Sequence, residues 1–336
     1  MRSVLFRIAL IAALSTTAAF GQVRILQTNS GGDNVHLIDP STNKVVGEIK
    51  GLPANHGAIG SPDGTRLYIS VEGNNTLAIV DAKTLSIIKS IPLSNRPNNV
   101  TVAKDGKKIY VAIAALPGAV EVIDATTLTS IKTIPTNGAE HNVYITPDGK
   151  YLVAGSVGGK NVTVIDTKTD EKVWSLFNQG VRPITFDTNP DGSTRNMYVQ
   201  LSDYHGVVVV DFANHKETAR IPLPEVPPDQ RNKGQINNAP THGIGVTPDN
   251  KLLFVCSRLN SHVYVYTIPE MKLIGDIEVG HDPDWITFTP DSKMAYIASA
   301  GTDSVSVVDV AAKKQVGSIP VGKAPKRNNT AMLKLK

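Results

Sequence analysis

Apolar and polar residues alternate with a period of two along most of the chain, in short runs broken by clusters of Gly, Pro, Asn and Asp. This is the pattern of half-buried β-strands joined by tight turns. The pattern itself repeats. A valine-rich run ends in Asp at Asp39, Asp81, Asp124, Asp166, Asp211 and Asp309, and the run closing at Thr267 is a degenerate seventh copy; the spacings are 42, 43, 42, 45, 56 and 42 residues. A second mark, Ser61-Pro62-Asp63-Gly64 in its first form, recurs at positions 103, 146, 189, 247 and 289, one copy fewer.

Each repeat reads as four short strands. In the second repeat they run from His56 to Ser61, Arg66 to Val71, Thr76 to Asp81 and Ser86 to Leu93, with a polar loop over Glu72 to Asn75. In the Pro62-Asp63-Gly64 turn, proline fixes φ and glycine admits a positive φ. The Asp closing each third strand is placed to accept N–H groups of the turn after it, a structural role. Four strands per repeat and seven copies predict an all-β fold, a seven-bladed β-propeller with four antiparallel strands per blade. The missing turn mark fits a chain that opens at strand two, Ile25 to Asn29. Strand one of the first blade is then expected from Thr330 to Leu335, so that N- and C-terminal strands pair and close the ring. Residues 22–336 form one domain, with an insertion at 222–240 accounting for the 56-residue spacing.

The second-strand tetrads LYIS (67–70), IYVA (109–112), MYVQ (197–200), LFVC (253–256) and AYIA (295–298) sit between the turn marks and the Asp-closed strands. With these marks the chain resembles the YVTN family of seven-bladed β-propellers over essentially its whole length after the leader. The resemblance implies the fold. It leaves function open, because similar propellers serve as periplasmic or surface binding proteins, haem d1 carriers and sugar lactonases.

Arg2 and Arg7 flank and precede an apolar run from Ile8 to Leu14, followed by small residues and Ala19-Phe20-Gly21. Residues 1–21 are therefore expected to be a secretory signal peptide cleaved near Gly21 and Gln22, giving a periplasmic or secreted protein with no transmembrane segment. The net charge of +4, from 34 Lys and Arg against 30 Asp and Glu, loses two with Arg2 and Arg7. Nothing in that balance calls for an anionic partner surface, and without an aromatic-interleaved basic groove nucleic acid is not an expected partner. The lone Cys256 lies in an apolar run and reads as a small core residue.

Candidate chemistry follows from the topology. Strand one of each blade lines the central channel, and its start opens on the face carrying the loops between strands two and three. Counting six residues back from the first turn residue gives His56, Asn98, His141, His242 and Asp284, a ring at one channel mouth. Register slips at Arg182-Pro183 and at Arg327-Asn328-Asn329; Arg182 joins the ring as a secondary contact. His56, His141, His242 and Asp284 are the residue types of a transition-metal site for Cu, Zn or haem iron. The insertion 222–240, with five prolines in nineteen residues, leads into His242 and is expected over the same mouth. No G-x-S-x-G, phosphate-cradling glycine loop or C-x-x-C occurs, which removes α/β-hydrolase, nucleotide and covalent-haem chemistry. The expectation is a monomeric, non-catalytic binding protein engaging a small molecule or protein partner at the channel mouth. A metal- or haem-handling protein and a propeller-type lactonase are the alternatives.

Overall fold

The computed structural model describes residues 21–233 and 239–335. The expected leader lies outside the described residues except for Gly21. The strands form seven four-stranded antiparallel sheets; six run in chain order from an inner to an outer strand, and the seventh takes its inner strand from the C-terminal end. Blade 1 comprises residues 22–49 plus the strand 325–333; blades 2 to 7 span 55–92, 97–135, 140–176, 181–222, 241–278 and 283–320. The seven-bladed, YVTN-type propeller expected from the repeats is the observed fold.

Local chemistry explains the elements. The fourth residue of each turn mark is left-handed: Gly64, Gly106, Gly149 and Gly192 have φ between +73° and +82°, and Asn250 and Ser292 take φ near +60° in the copies without glycine. The Asp closing each third strand caps the following turn, as in Asp81 accepting from the amides of Lys83 and Thr84 at 3.0 and 2.8 Å. Valines and isoleucines of facing sheets interlock between neighbouring blades, as where Leu77, Ile79 and Ile91 of blade 2 meet Val100, Ile109 and Val111 of blade 3. Tyrosines of the tetrads add a polar latch between blades. The buried Tyr110 hydroxyl donates to Asp170 of the next blade at 3.1 Å, and Tyr296 donates to Asn43 at 2.5 Å across the ring's seam. Cys256 is wholly buried in this core and burial pushes its thiol up, which makes it unreactive.

Closure differs from expectation in its extent. The C-terminal strand runs from Pro325 to Leu333 and pairs antiparallel with Gln22–Asn29, in register from Gln22 opposite Leu333 to Asn29 opposite Pro325. It therefore begins five residues before Thr330 and brings Lys326 and Arg327 into the channel.

Every inner strand shares one irregularity. Between its first residue and its third or fourth, each of the seven carries one residue more than strand two opposite it, a β-bulge. A bulge bends the strand and re-aims the side chains beside it. The bulges thus sit at the second and third residues of strand one, where the channel mouth begins.

The first residue of the blade 4 inner strand, Glu140, is wholly buried and neither carboxyl oxygen has a hydrogen-bond partner. Burial pushes its pKa up to about 8 from 4.5. The folded state then holds a proton that the unfolded chain releases, so stability falls as pH rises from about 4.5 to about 8. Glu140→Gln is expected to flatten that slope and raise the melting temperature by several degrees at pH 8, with little effect at pH 4.5; calorimetric melts across the range measure it.

Candidate functional site

The second residues of the seven inner strands are His56, Asn98, His141, Arg182, His242, Asp284 and Lys326. All six positions read from the sequence thus occupy equivalent places around one mouth, which we term upper, and Lys326 completes the ring. Arg182 takes its place although its turn mark lies two residues late, because the blade 5 inner strand is eight residues long and has a second register shift between Phe186 and Thr188. Lys326 could have been found by aligning Pro325 with Pro97 and Pro283, which open two other inner strands.

The third residues form a ring below: Gly57, Asn99, Asn142, Pro183, Gly243, Trp285 and Arg327. The glycines are sterically required. A Cβ on Gly243 would lie 2.7 Å from the Cys256 sulfur, and one on Gly57 2.9 Å from the Val100 nitrogen. Large side chains therefore project only from the other blades, and Arg327 reaches across the channel. Its Nη1 donates to Asn142 Oδ1 at 2.9 Å, its Nη2 to Asn98 Oδ1 at 2.5 Å and to the His141 carbonyl at 3.1 Å. The guanidinium lies over the Trp285 ring, 4.0 Å from its centroid. Arg327 is 3% exposed, its Nε has no partner, and it makes no ion pair among the described residues. Burial lowers its pKa to about 10, so it is charged at neutral pH, held by neutral dipoles and an aromatic face.

Two ionic clusters flank it. On one side Glu72, from the loop between strands two and three of blade 2, meets His56 Nδ1 at 3.0 Å and Arg96 at 3.3 Å and accepts from Asn98 Nδ2 at 3.0 Å. On the other, Asp284 is engaged by Lys326 Nζ at 2.5 Å and lies 3.2 Å from Arg258, which forks onto Asp282. Arg182 donates to Ser202 Oγ at 3.0 Å and feels Arg258, Asp203 and Asp284. Glu72, Arg258 and Arg327 were not among the ring residues read from the sequence. Two of them come from strand-two-to-three loops that the counting rule does not reach.

The histidines are kept neutral. Desolvation holds His56 down at about 4 despite Glu72, and it holds His141 and His242 well below the usual imidazole range, with Arg327 repelling a proton from His141 and Lys326 and Arg258 repelling one from His242. His56 Nε2 is buried without a partner, whereas His242 Nδ1 is bonded to the Asp284 carbonyl at 2.7 Å. Neutral imidazole suits a metal, but the ring does not gather around one point. His141 and His242 are neighbours at 5.7 Å between ring centroids, His56 is turned to Glu72, and Asp284 is taken by cations. Among the described residues no three His, Cys, Asp or Glu side chains form a group that could hold a metal ion. The four side chains read from the sequence are therefore not gathered as the ligands of one Cu or Zn ion.

The described part of the 222–240 insertion is pinned beside this mouth. Leu223 and Val226 are buried, and Asn232 donates from Nδ2 to the Arg258 carbonyl and to Ser261 Oγ, both at 2.8 Å. Among the described residues no helix is long and apolar enough to cross a membrane.

A family model for the seven-bladed β-propeller lactonase matches residues 141–318, just over half of the chain. Antigen Lp49 of Leptospira interrogans is 29% identical over 179 residues, 52% of this chain and 31% of that protein. The uncharacterized protein YncE of Salmonella typhi is 24% identical over 90 residues, 27% of this chain and 25% of that one. The matches thus span a third or less of the length of these curated relatives. Among solved structures, a hydrazine synthase chain of Kuenenia stuttgartiensis superposes with a TM-score of 0.73 at 22% identity, covering 91% of this chain and 99% of that one. A periplasmic gluconolactonase of Pseudomonas aeruginosa gives 0.71 at 17% identity, covering 93% and 100%. At such identities the likeness is one of fold.

Because Arg327 opposes protonation of His56 and His141, Arg327→Gln is expected to raise both imidazole pKa values, while Glu72→Gln lowers that of His56. Imidazole proton shifts followed by NMR across pH 3 to 8 measure both.

Proposed function

We propose, from a chain that belongs to the seven-bladed β-propeller lactonase family, that this protein binds a small anionic molecule at the upper channel mouth. The observation that carries the reading is Arg327, a buried guanidinium with no carboxylate in contact among the described residues. A buried charge is costly unless it is paired, and a ligand carboxylate is the natural complement to a guanidinium whose Nε–H has no partner. Arg182, Arg258 and Lys326, matched in charge by Asp203, Asp282 and Asp284, supply further donors on the same side, and the neutral imidazoles offer hydrogen bonds without competing charge. Export, read from residues 1–21, would expose the mouth to solutes of the periplasm or the medium.

Lactone hydrolysis is the second reading, favoured by one specific arrangement. Glu72 orients His56 through Nδ1, leaving Nε2 buried and unpartnered as a general base toward water. Its pKa near 4 weighs against it, since a base about three units below neutral pH takes a proton poorly. Simple binding therefore comes first.

Calorimetric titration of the mature protein with D-gluconate, succinate and citrate tests the proposal. At least one is expected to bind, more weakly at high salt. Arg327→Gln and Lys326→Met should each cost about tenfold or more in affinity, the scale of one charge-assisted hydrogen bond. If all three anions fail to bind, or if affinity is indifferent to both substitutions, the reading is wrong. Steady turnover of D-glucono-δ-lactone lost in His56→Gln would instead promote the hydrolase.

A further inference from the structure

The Arg327–Trp285 pair lies partway down the channel, and below it the chemistry changes. A cavity of about 280 Å³ occupies the lower half, lined by the later residues of the inner strands. A recess of about 70 Å³ shares Tyr144, Trp285, Asn328 and Asn329 with it and extends up to Arg327. The upper ring carries Arg182, Asp284, Lys326 and three imidazoles. The lower chamber, apart from Arg327 at the roof of the recess, has among the described residues no ionisable group other than the Tyr144 phenol. Its polar atoms are hydroxyls and amides from Thr101, Tyr144, Thr185, Thr287, Asn328 and Asn329, set beside Phe186 and Trp285, one face of which is covered by Arg327.

Several of these polar groups have bonding capacity to spare. Asn328 is 3% exposed and donates through Nδ2 to the Tyr296 carbonyl at 3.0 Å, yet its Oδ1 has no partner. Thr101 and Asn329 make no side-chain hydrogen bond among the described residues. A buried amide oxygen without a partner is the kind of group that a ligand hydroxyl satisfies. Charge-free hydroxyls and amides beside an aromatic face match a ring with polar edges and one apolar face. The cavity lies at the small end of the range for ligand pockets, a fit for a single ring.

We propose that the lower chamber is a second binding site, for a neutral monosaccharide stacked on the Trp285 face turned away from Arg327, with its hydroxyls on Asn328, Asn329 and Thr287. The site is independent of the anion reading above, and its ligand needs no charge. The two sites share only the Arg327–Trp285 partition.

The chain has two tryptophans, so Trp174→Phe leaves Trp285 as the sole emitter. Titrating this variant with D-glucose, D-galactose and D-mannose is expected to give a saturable change in tryptophan emission for at least one sugar, insensitive to salt. Asn329→Leu and Thr287→Val, each checked for an unaltered melting transition, should weaken that response about fivefold or more, and Lys326→Met should leave it in place. Absence of a saturable change with all three sugars at tens of millimolar overturns the proposal. So does a response that Lys326→Met abolishes and Asn329→Leu spares, which would put the sugar in the upper mouth. Because the readout is neither anion affinity nor lactone turnover, failure here leaves the upper-mouth reading untouched.

Discussion

The pairing of Gln22–Asn29 with Pro325–Leu333 is the interaction on which the rest of the structure depends. A propeller blade contacts only its neighbours, so an open ring would expose two sheet edges and two apolar flanks. Here a single antiparallel ladder between the two ends of the chain removes both. The Tyr296–Asn43 bond and the packing of Ile25 and Ile38 against Tyr296, Val305 and Val307 seal the adjoining seam between blades 7 and 1. The same ladder has a chemical consequence. Because the closing strand starts at Pro325, its bulge lifts Lys326 and Arg327 into the channel, so the strand that closes the fold also supplies the site's central charge.

The bulges convert a uniform scaffold into a site. With seven inner strands of similar sequence pattern, a regular pleat would send second and third residues to opposite faces. One extra residue per strand re-aims both, giving two stacked rings. The upper ring takes a different residue type in most blades, while the lower is emptied at Gly57 and Gly243 so that Arg327 and Trp285 can span it. The result is a channel partitioned by a cation lying on an indole, ionic above and largely neutral below.

Much of this was legible in the chain. Period-two runs, proline and glycine turn marks and Asp-closed strands are local features with local causes, and they fixed blade number and strand order. The second-position ring was legible where strand one and its turn keep constant length, as for His56, Asn98, His141, His242 and Asp284. It blurred at Arg182, where an extra register shift lengthens the strand, and at Lys326, where the chain ends without a turn mark. The third ring was hidden because a bulge leaves no trace in an alternating pattern. Glu72 was hidden because it arrives from a loop whose approach depends on the assembled ring. The side chains expected to share a metal stay apart for the same reason: symmetric positions in sequence set blade order, whereas convergence on one point depends on how His56 and Asp284 are drawn aside by Glu72, Arg258 and Lys326.

The account rests on Arg327 being a buried cation that lacks an anionic partner among the described residues. A crystal structure of the mature protein grown with the tightest-binding of the three anions tests this most directly. The account predicts carboxylate density within hydrogen-bond distance of the Arg327 guanidinium, on the side facing Lys326 and Arg182. An empty mouth at saturating anion, or an Arg327 paired with Glu72 or Asp284 of its own chain, would contradict it.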